Sequence, residues 1–99
     1  GHTASLFPQT DPVLNPMPGV WVREVYVAKM SSWRVSFTPQ LINAAANILL
    51  LVSGEEKAPV IQSVLKGTQP PEKYPVQLIN PLNGTLTWLL DSGAASLLQ

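Results

Sequence analysis

The sequence predicts an α/β protein, as part of a doubly wound, mostly parallel sheet with helices on both faces. Strand-like and helix-like segments alternate along the 99 residues, and the segment at residues 47–53, NILLLVS, is continuously apolar from Ile48 to Val52. A strand of that kind is typical of a parallel sheet, because both of its faces are covered. Only two or three helices are predicted. We therefore expect the chain to be part of such a domain.

The first half of the chain is predicted to hold two strands and a helix. Residues 9–19, QTDPVLNPMPG, contain three prolines and one glycine, which indicates an ordered loop. Residues 20–28 alternate β-branched and aromatic residues with charged ones, and residues 34–38, RVSFT, are a second short strand. Thr38 followed by a proline has the pattern of a helix N-cap, so a helix is expected over residues 39–46.

The second half continues with the apolar strand at residues 47–53, a turn at Gly54 and another helix. Acidic residues open that helix at residues 55 and 56, where the helix dipole favours them. Apolar spacing continues it to Gly67, which has the pattern of a C-cap. The remaining chain is predicted as a loop at 68–75, a short strand at 76–79, a strand at 85–91, and a helix at 92–99 capped by Asp91.

Composition excludes several classes of function. Hydrophobic residues make up 45% of the chain, a share too high for a disordered segment. Charged residues make up 12%, a low share for a small domain whose whole surface faces water. Part of the surface is therefore expected to pack against something else. The net charge is zero, which gives no electrostatic basis for binding nucleic acid or a membrane. The absence of cysteine excludes disulfides, thiolate metal sites and a cysteine nucleophile.

No membrane segment or cofactor site is predicted. The most apolar stretch, residues 41–52, contains Asn43 and Asn47 and is shorter than the ~20 residues that a spanning helix needs. No basic stretch precedes an apolar run at the start, so a soluble, cytoplasmic protein is expected. A single histidine and scattered carboxylates do not form a metal-ligand set. We expect neither a metal nor another cofactor.

Three segments together resemble the C-terminal part of the 6-phosphogluconolactonase family. They are GHTASLFP at residues 1–8, LINAAANILLLVSGEEKAPVI at residues 41–61 and LTWLLD at residues 86–91. The first motif is specific over eight consecutive positions, whereas the other two are apolar patterns. In the family a glycine and an aspartate precede the Gly-His pair, and a glycine-rich sugar-phosphate loop lies further upstream. Neither is in this chain.

Within the same superfamily, glucosamine-6-phosphate deaminase is the closest alternative. It also carries Gly-His at this loop, but with a glutamate five residues after the histidine. Phe7 stands at that position here, and a phenyl group cannot serve as a ring-opening acid. A non-catalytic sugar-phosphate-binding module on the same fold is the second alternative, since a fold does not fix a function.

The resemblance implies a hydrolase of the pentose phosphate pathway that converts 6-phospho-D-glucono-1,5-lactone to 6-phosphogluconate. Histidine is suited to take a proton from water and return it to the ring oxygen, because its unperturbed pKa is about 6.5. His2 is therefore the expected catalytic residue. Backbone N–H groups near Gly1 and Thr3 are expected to face the substrate and support the oxyanion.

The 6-phosphate requires cationic partners, for which Lys57 and Arg34 are the candidates. Lys57 stands where a helix begins, and Arg34 begins a strand. Plainer interpretations remain open: His2 as a solvated chain end, Lys57 paired with neighbouring glutamates, and Arg34 as an ordinary strand-edge residue.

The domain organisation is expected to be incomplete. Residues 1–99 are interpreted as the C-terminal portion of one 6-phosphogluconolactonase-like domain without its N-terminal half. The fragment alone is expected to be inactive. Its partners are expected to be a sugar-phosphate lactone, together with a second copy of the chain or the missing N-terminal half.

Overall fold

A computed structural model describes residues 1–67 and 70–98 of the chain. The described part contains two two-stranded sheets, one antiparallel and one parallel. The elements follow one another as α1 (Asp11–Leu14), β1 (Val22–Val27), β2 (Ser32–Phe37), α2 (Pro39–Asn43), β3 (Asn47–Val52), α3 (Ala58–Lys66) and β4 (Thr85–Leu90). Short 3₁₀ turns cover Ala28–Met30, Glu55–Lys57 and Pro75–Leu78.

Strands β1 and β2 form an antiparallel hairpin in which Val22 pairs with Phe37 and Val27 with Ser32. Both predicted strands are confirmed. The hairpin turns at Ser31, which adopts a left-handed conformation with φ of 47°. The β1 side chains are alternately exposed and buried, as expected of a sheet with one covered face.

The predicted helix after β2 is confirmed, although it is shorter than expected. Thr38 is its N-cap, and the Thr38 hydroxyl accepts a hydrogen bond from Leu41 N at 3.3 Å. The same hydroxyl donates to the carbonyl of Val20 at 2.7 Å, so it ties the helix to the start of the hairpin.

Strands β3 and β4 run parallel, with α3 in the connection between them. This is the crossover arrangement that parallel pairing requires. The strand, the helix and the Gly67 cap are confirmed, the glycine having a left-handed φ of 66°. Ala58 and Ile61 are the buried residues of α3.

Three local predictions are wrong. Residues 9–19 include the short helix α1, since a proline at its first turn starts a helix without losing a hydrogen bond. Residues 76–79 begin in a 3₁₀ turn rather than a strand, because Pro75 lacks an N–H and sets φ for a turn. Residues 92–97 form successive turns rather than a helix, whereas residue 99 lies outside the described residues.

The last of these differences has a packing cause. A side chain at Gly93 would begin 3.0 Å from Glu55 N, so the backbone there packs directly on the loop after β3. So short a segment also meets the high cost of starting a helix. Asp91 does cap this segment, although the segment is a turn and not a helix. Its carboxylate accepts a hydrogen bond from Ala94 N at 2.8 Å.

The α/β class is confirmed, and the doubly wound sheet with helices on both faces stays a prediction. Buried apolar side chains lie between the elements, and Phe7, Val25 and Val27 form one cluster under the hairpin. Within residues 1–67 and 70–98, no helix is long and apolar enough to cross a membrane.

Candidate active site

The candidate site is a cavity of about 290 Å³ at the carboxyl end of β3. Ligands of α/β sheets bind at this end of the strands, on the loops that follow them. The chain start and the loop after β3 supply its polar groups, and strand and helix side chains supply its apolar wall. Its lining residues are Gly1, His2, Leu51, Val52, Ser53, Lys57, Val60, Ile61, Val76 and Trp88.

The first eight residues form a tight turn whose large apolar residues, Leu6 and Phe7, are buried. Leu6 N donates to the carbonyl of Thr3 at 2.9 Å, and Ala4 between them has a φ of 50°. Leu6 is 0% exposed and Phe7 5% exposed. The apolar end of the motif is therefore a packed anchor, and the polar start is left at the surface.

Gly1 is fixed from the other side of the cavity. Its carbonyl accepts a hydrogen bond from Val76 N at 2.9 Å. A side chain at Gly1 would begin 2.9 Å from Tyr74 Cα, too close for any residue but glycine without a shift of the backbone.

The His2 imidazole lies parallel to the Phe7 ring, with 4.4 Å between ring centroids and 9° between ring planes. Desolvation lowers the pKa of His2 below 6.5, and the positive charges of Lys57 and Lys29 lower it further. A neutral imidazole is accordingly the dominant form at pH 7, and only that form can accept a proton.

Lys57 ends the 3₁₀ turn that leads into α3, and it is one of the residues that line the cavity. The loop before it turns at Gly54, which has a φ of 103°. Among residues 1–67 and 70–98, the structure has one salt bridge, which joins Arg23 to Asp11. The alternative in which Lys57 pairs with its neighbouring glutamates is therefore not observed in these residues.

Gly1, His2 and Lys57 are thus brought together, whereas Thr3 and Arg34 are not among the lining residues. The carbonyl of Thr3 is used in the turn. Arg34 is exposed on β2, where its guanidinium donates toward the Met30 sulfur at 3.2 Å.

Two contributors to the site were missed by sequence reasoning. Lys29, in the hairpin turn, is close enough to help lower the pKa of His2, and its Nζ lies 5.3 Å from the Phe7 ring centroid. Asp91 follows β4, and its carboxylate oxygens accept hydrogen bonds from Gly54 N at 3.2 and 3.1 Å. A lysine in a turn and an acid after a strand carry no local signal of these contacts.

The arrangement offers a neutral base, an ammonium group and an apolar wall in one open cavity. It suits proton transfer on a substrate that also carries an anionic group. The part of the chain that is described contains no group of three or more acidic, histidine or cysteine side chains placed to hold a metal ion.

Fold and cavity therefore define an α/β protein with a cavity, lined by a histidine and a lysine, at the end of a parallel strand pair. The sequence model of the family described as glucosamine-6-phosphate isomerases/6-phosphogluconolactonase matches residues 1–88, and the chain belongs to that family.

Curated relatives and solved structures agree with this family. The chain is 38% identical to 6-phosphogluconolactonase of Synechocystis, over 100% of the chain and 39% of the relative. It is also 38% identical to 6-phosphogluconolactonase of Homo sapiens, over 99% of the chain and 37% of the relative. The structure of 6-phosphogluconolactonase from Trypanosoma brucei is similar with a TM-score of 0.84 at 28% identity, over 100% of the chain and 38% of that structure. The chain thus spans well under half the length of these relatives.

Proposed function

We propose that the protein carrying this chain hydrolyses 6-phospho-D-glucono-1,5-lactone to 6-phosphogluconate, a step of the pentose phosphate pathway. The observation that carries the proposal is the meeting of His2 and Lys57 in one cavity. Relatives named 6-phosphogluconolactonase support the choice of substrate. A cytoplasmic location and a reaction without a cofactor belong to the same proposal.

In the proposed mechanism, His2 acts first as a general base. Its neutral imidazole takes a proton from water as the water oxygen attacks the lactone carbonyl, and the carbonyl oxygen becomes an oxyanion. Backbone N–H groups around Gly1 and Thr3 are proposed to stabilise that charge; Gly1 lines the cavity, and Thr3, which does not, has less support for this role. The carbon–oxygen bond of the ring then breaks, and the imidazolium returns its proton to the departing ring oxygen. The product is an open-chain carboxylic acid.

Lys57 is proposed to bind the 6-phosphate. Its position on the cavity wall supports this role, and the nearby charge of Lys29 makes the cavity more positive. Arg34 is proposed as a second cationic contact. Its exposed position on β2, with the guanidinium toward Met30, gives that part of the proposal less support.

Residues 1–99 are proposed to be the C-terminal portion of a single domain with a doubly wound sheet. The share of the relatives that the chain covers, 37–39% in the two named above, supports the part of this proposal that makes the chain one portion of a longer domain. Additional substrate contacts would then come from the N-terminal portion, which would also cover faces of the strands.

The function is tested by His2→Gln in a polypeptide that contains the complete domain. Loss of a general acid–base usually lowers the rate by about 10² to 10⁴, so we expect kcat for the phosphorylated lactone to fall by that factor. Turnover within about a factor of two of the unsubstituted enzyme would exclude His2 as the base. If the unsubstituted domain binds the phosphorylated sugar acid without hydrolysing the lactone, it is a binding module and the proposal is wrong.

A further inference from the structure

His2 is held at its ring face by Phe7. The two rings lie 4.4 Å apart between centroids and within 9° of parallel. The imidazole nitrogens lie in the plane of their ring, so a contact through the face leaves both of them clear for proton transfer. The contact therefore fixes the plane of the base without using the atoms that react.

Phe7 is itself firmly held. Its side chain is 5% exposed and packs in one cluster with Val25 and Val27, which are 1% and 2% exposed on β1. Its carbonyl accepts two hydrogen bonds from Thr10, one from the hydroxyl at 2.7 Å and one from the backbone N–H at 3.3 Å. Both the ring and the backbone of this residue are consequently restrained by the hairpin and the following turn.

The Phe7 ring also contacts a cation, since Lys29 Nζ lies 5.3 Å from its centroid. Attraction between an ammonium group and an aromatic face favours that distance. The Phe7 ring thus contacts both the imidazole and a nearby positive charge.

We propose that Phe7 is a positioning residue for the reaction, holding the His2 imidazole in its productive plane by stacking. The inference rests on the proposed function, because it assigns catalytic value to the orientation of His2. A misplacement of about 1 Å can cost roughly 10² in rate, so loss of the ring is expected to lower kcat by about 10- to 10²-fold. The KM is expected to change little, because the phosphate contact at Lys57 is separate.

The test uses Phe7→Leu, with Phe7→Tyr as the variant that retains a ring. Ile48→Ala is the matched control, since it removes packing from a buried residue that is outside the Phe7 cluster and at the opposite end of β3 from the cavity. The chain has a single histidine, so its ring protons are assigned directly by NMR on the 99-residue chain. Protons over an aromatic face are shifted upfield, which makes the stack visible without any assay. Steady-state kinetics are measured on the complete domain carrying the same variants.

In Phe7→Leu, the upfield shift of the His2 ring protons should disappear and kcat should fall. Phe7→Tyr should retain the upfield shift and kcat, and Ile48→Ala should retain both despite a lower melting temperature. Unchanged His2 shifts in Phe7→Leu would overturn the proposal. A lost shift with unchanged kcat would also overturn it, as would an equal loss of kcat in Ile48→Ala. An inactive unsubstituted domain would refute the proposed function, and with it any catalytic role for Phe7.

Discussion

At the scale of single residues, the cavity combines groups that tune one another. The positive charges of Lys57 and Lys29 disfavour a charged imidazole and so help keep His2 in its basic form. The same charges attract an anionic substrate. In the proposed mechanism, these two charges therefore serve both proton transfer and phosphate binding, and their effect can be measured on either process.

Substitution of Lys57 by methionine tests phosphate binding. A charge-assisted contact is worth about 1.5–3 kcal/mol, which corresponds to roughly a 10- to 10²-fold increase in KM for the phosphorylated lactone. Hydrolysis of unphosphorylated gluconolactone should be nearly unaffected, because that substrate has no phosphate for Lys57 to bind. Steady-state kinetics on both substrates in the complete domain measure the difference. Equal losses on both would mean that Lys57 supports the fold instead.

The titration of His2 gives a second prediction. Its folded pKa lies below the ordinary value of 6.5, with desolvation as the first cause. The imidazole should therefore be neutral at pH 7 and become protonated only as the pH falls through a midpoint below 6.5. An NMR titration of the single histidine measures that midpoint.

Lys57→Met removes one of the repelling charges, so the midpoint should move upward, toward the ordinary pKa of histidine. A midpoint above 6.5 in the unsubstituted chain, or a downward movement in Lys57→Met, would contradict this account of the charges around His2.

Sequence reasoning predicted the residue types at the cavity better than their contacts. His2, Gly1 and Lys57 belong to segments whose local patterns are distinctive. The approach of Lys29 depends on packing between the first turn and the hairpin, which no local pattern encodes. The stack of His2 on Phe7 is similar, because the spacing alone does not show which face of the turn each ring takes.

At the scale of elements, one carboxylate joins the ends of the two parallel strands. Asp91, directly after β4, accepts from Gly54 N in the loop after β3, and these residues are 37 positions apart in sequence. The same carboxylate accepts from Ala94 N. It therefore stabilises the loop that leads to Lys57.

Replacement of Asp91 by alanine should lower the free energy of unfolding by about 1 kcal/mol, because two backbone donors lose their partner at an exposed site. In the complete domain the KM for the phosphorylated lactone should rise, since the loop that carries Lys57 is less restrained. Urea unfolding and kinetics measure the two effects. Asp91→Asn keeps an acceptor oxygen and should lose less. If the two variants were indistinguishable from the unsubstituted chain in both measurements, Asp91 would have no such role.

Elements with a strong local pattern were predicted correctly. β3, α3 and the Gly67 cap follow from an uninterrupted apolar run, helical spacing and a left-handed glycine. The segment around Pro75 was predicted wrongly, because its apolar residues fit a strand equally well. The proline favours the observed 3₁₀ turn. The helix predicted for residues 92–99 was also wrong, since the packing of this segment against the loop after β3 overrides its helical propensity.

At the scale of the molecule, both sheets expose apolar side chains. On the hairpin, the exposed face carries Val22, Tyr26, Trp33, Val35 and Phe37, with Glu24 opposite Val35 as its charged residue. On the parallel pair, the exposed face carries Leu49, Leu51 and Leu89 beside the polar Asn47, Thr85 and Thr87. Val35 and Leu51 are each 74% exposed. Apolar surfaces of this kind mark contacts with other protein, and the low charge of the sequence indicated such a contact. What lies against them could not be predicted from the sequence, because an apolar face does not specify its partner.

We expect the 99-residue chain on its own to self-associate through these faces and to lack lactonase activity. Burying exposed leucine, valine and aromatic side chains is favourable by about 25 cal/mol per Å², and a second copy supplies the nearest matching surface. Light scattering should therefore give a mass above that of one chain, and the lactone assay should show no hydrolysis.

Val35→Glu and Leu51→Glu should each reduce the mass, because association would then bury an unpaired carboxylate. Leu82→Glu is the matched control: Leu82 is 73% exposed but lies in the loop before β4, so this change should leave association unaffected. Addition of the N-terminal portion of the domain should compete with self-association and restore hydrolysis, since it would cover the same faces and complete the site. A compact monomer that hydrolyses the lactone would contradict this prediction, because these residues would then form a closed core and a whole active site by themselves.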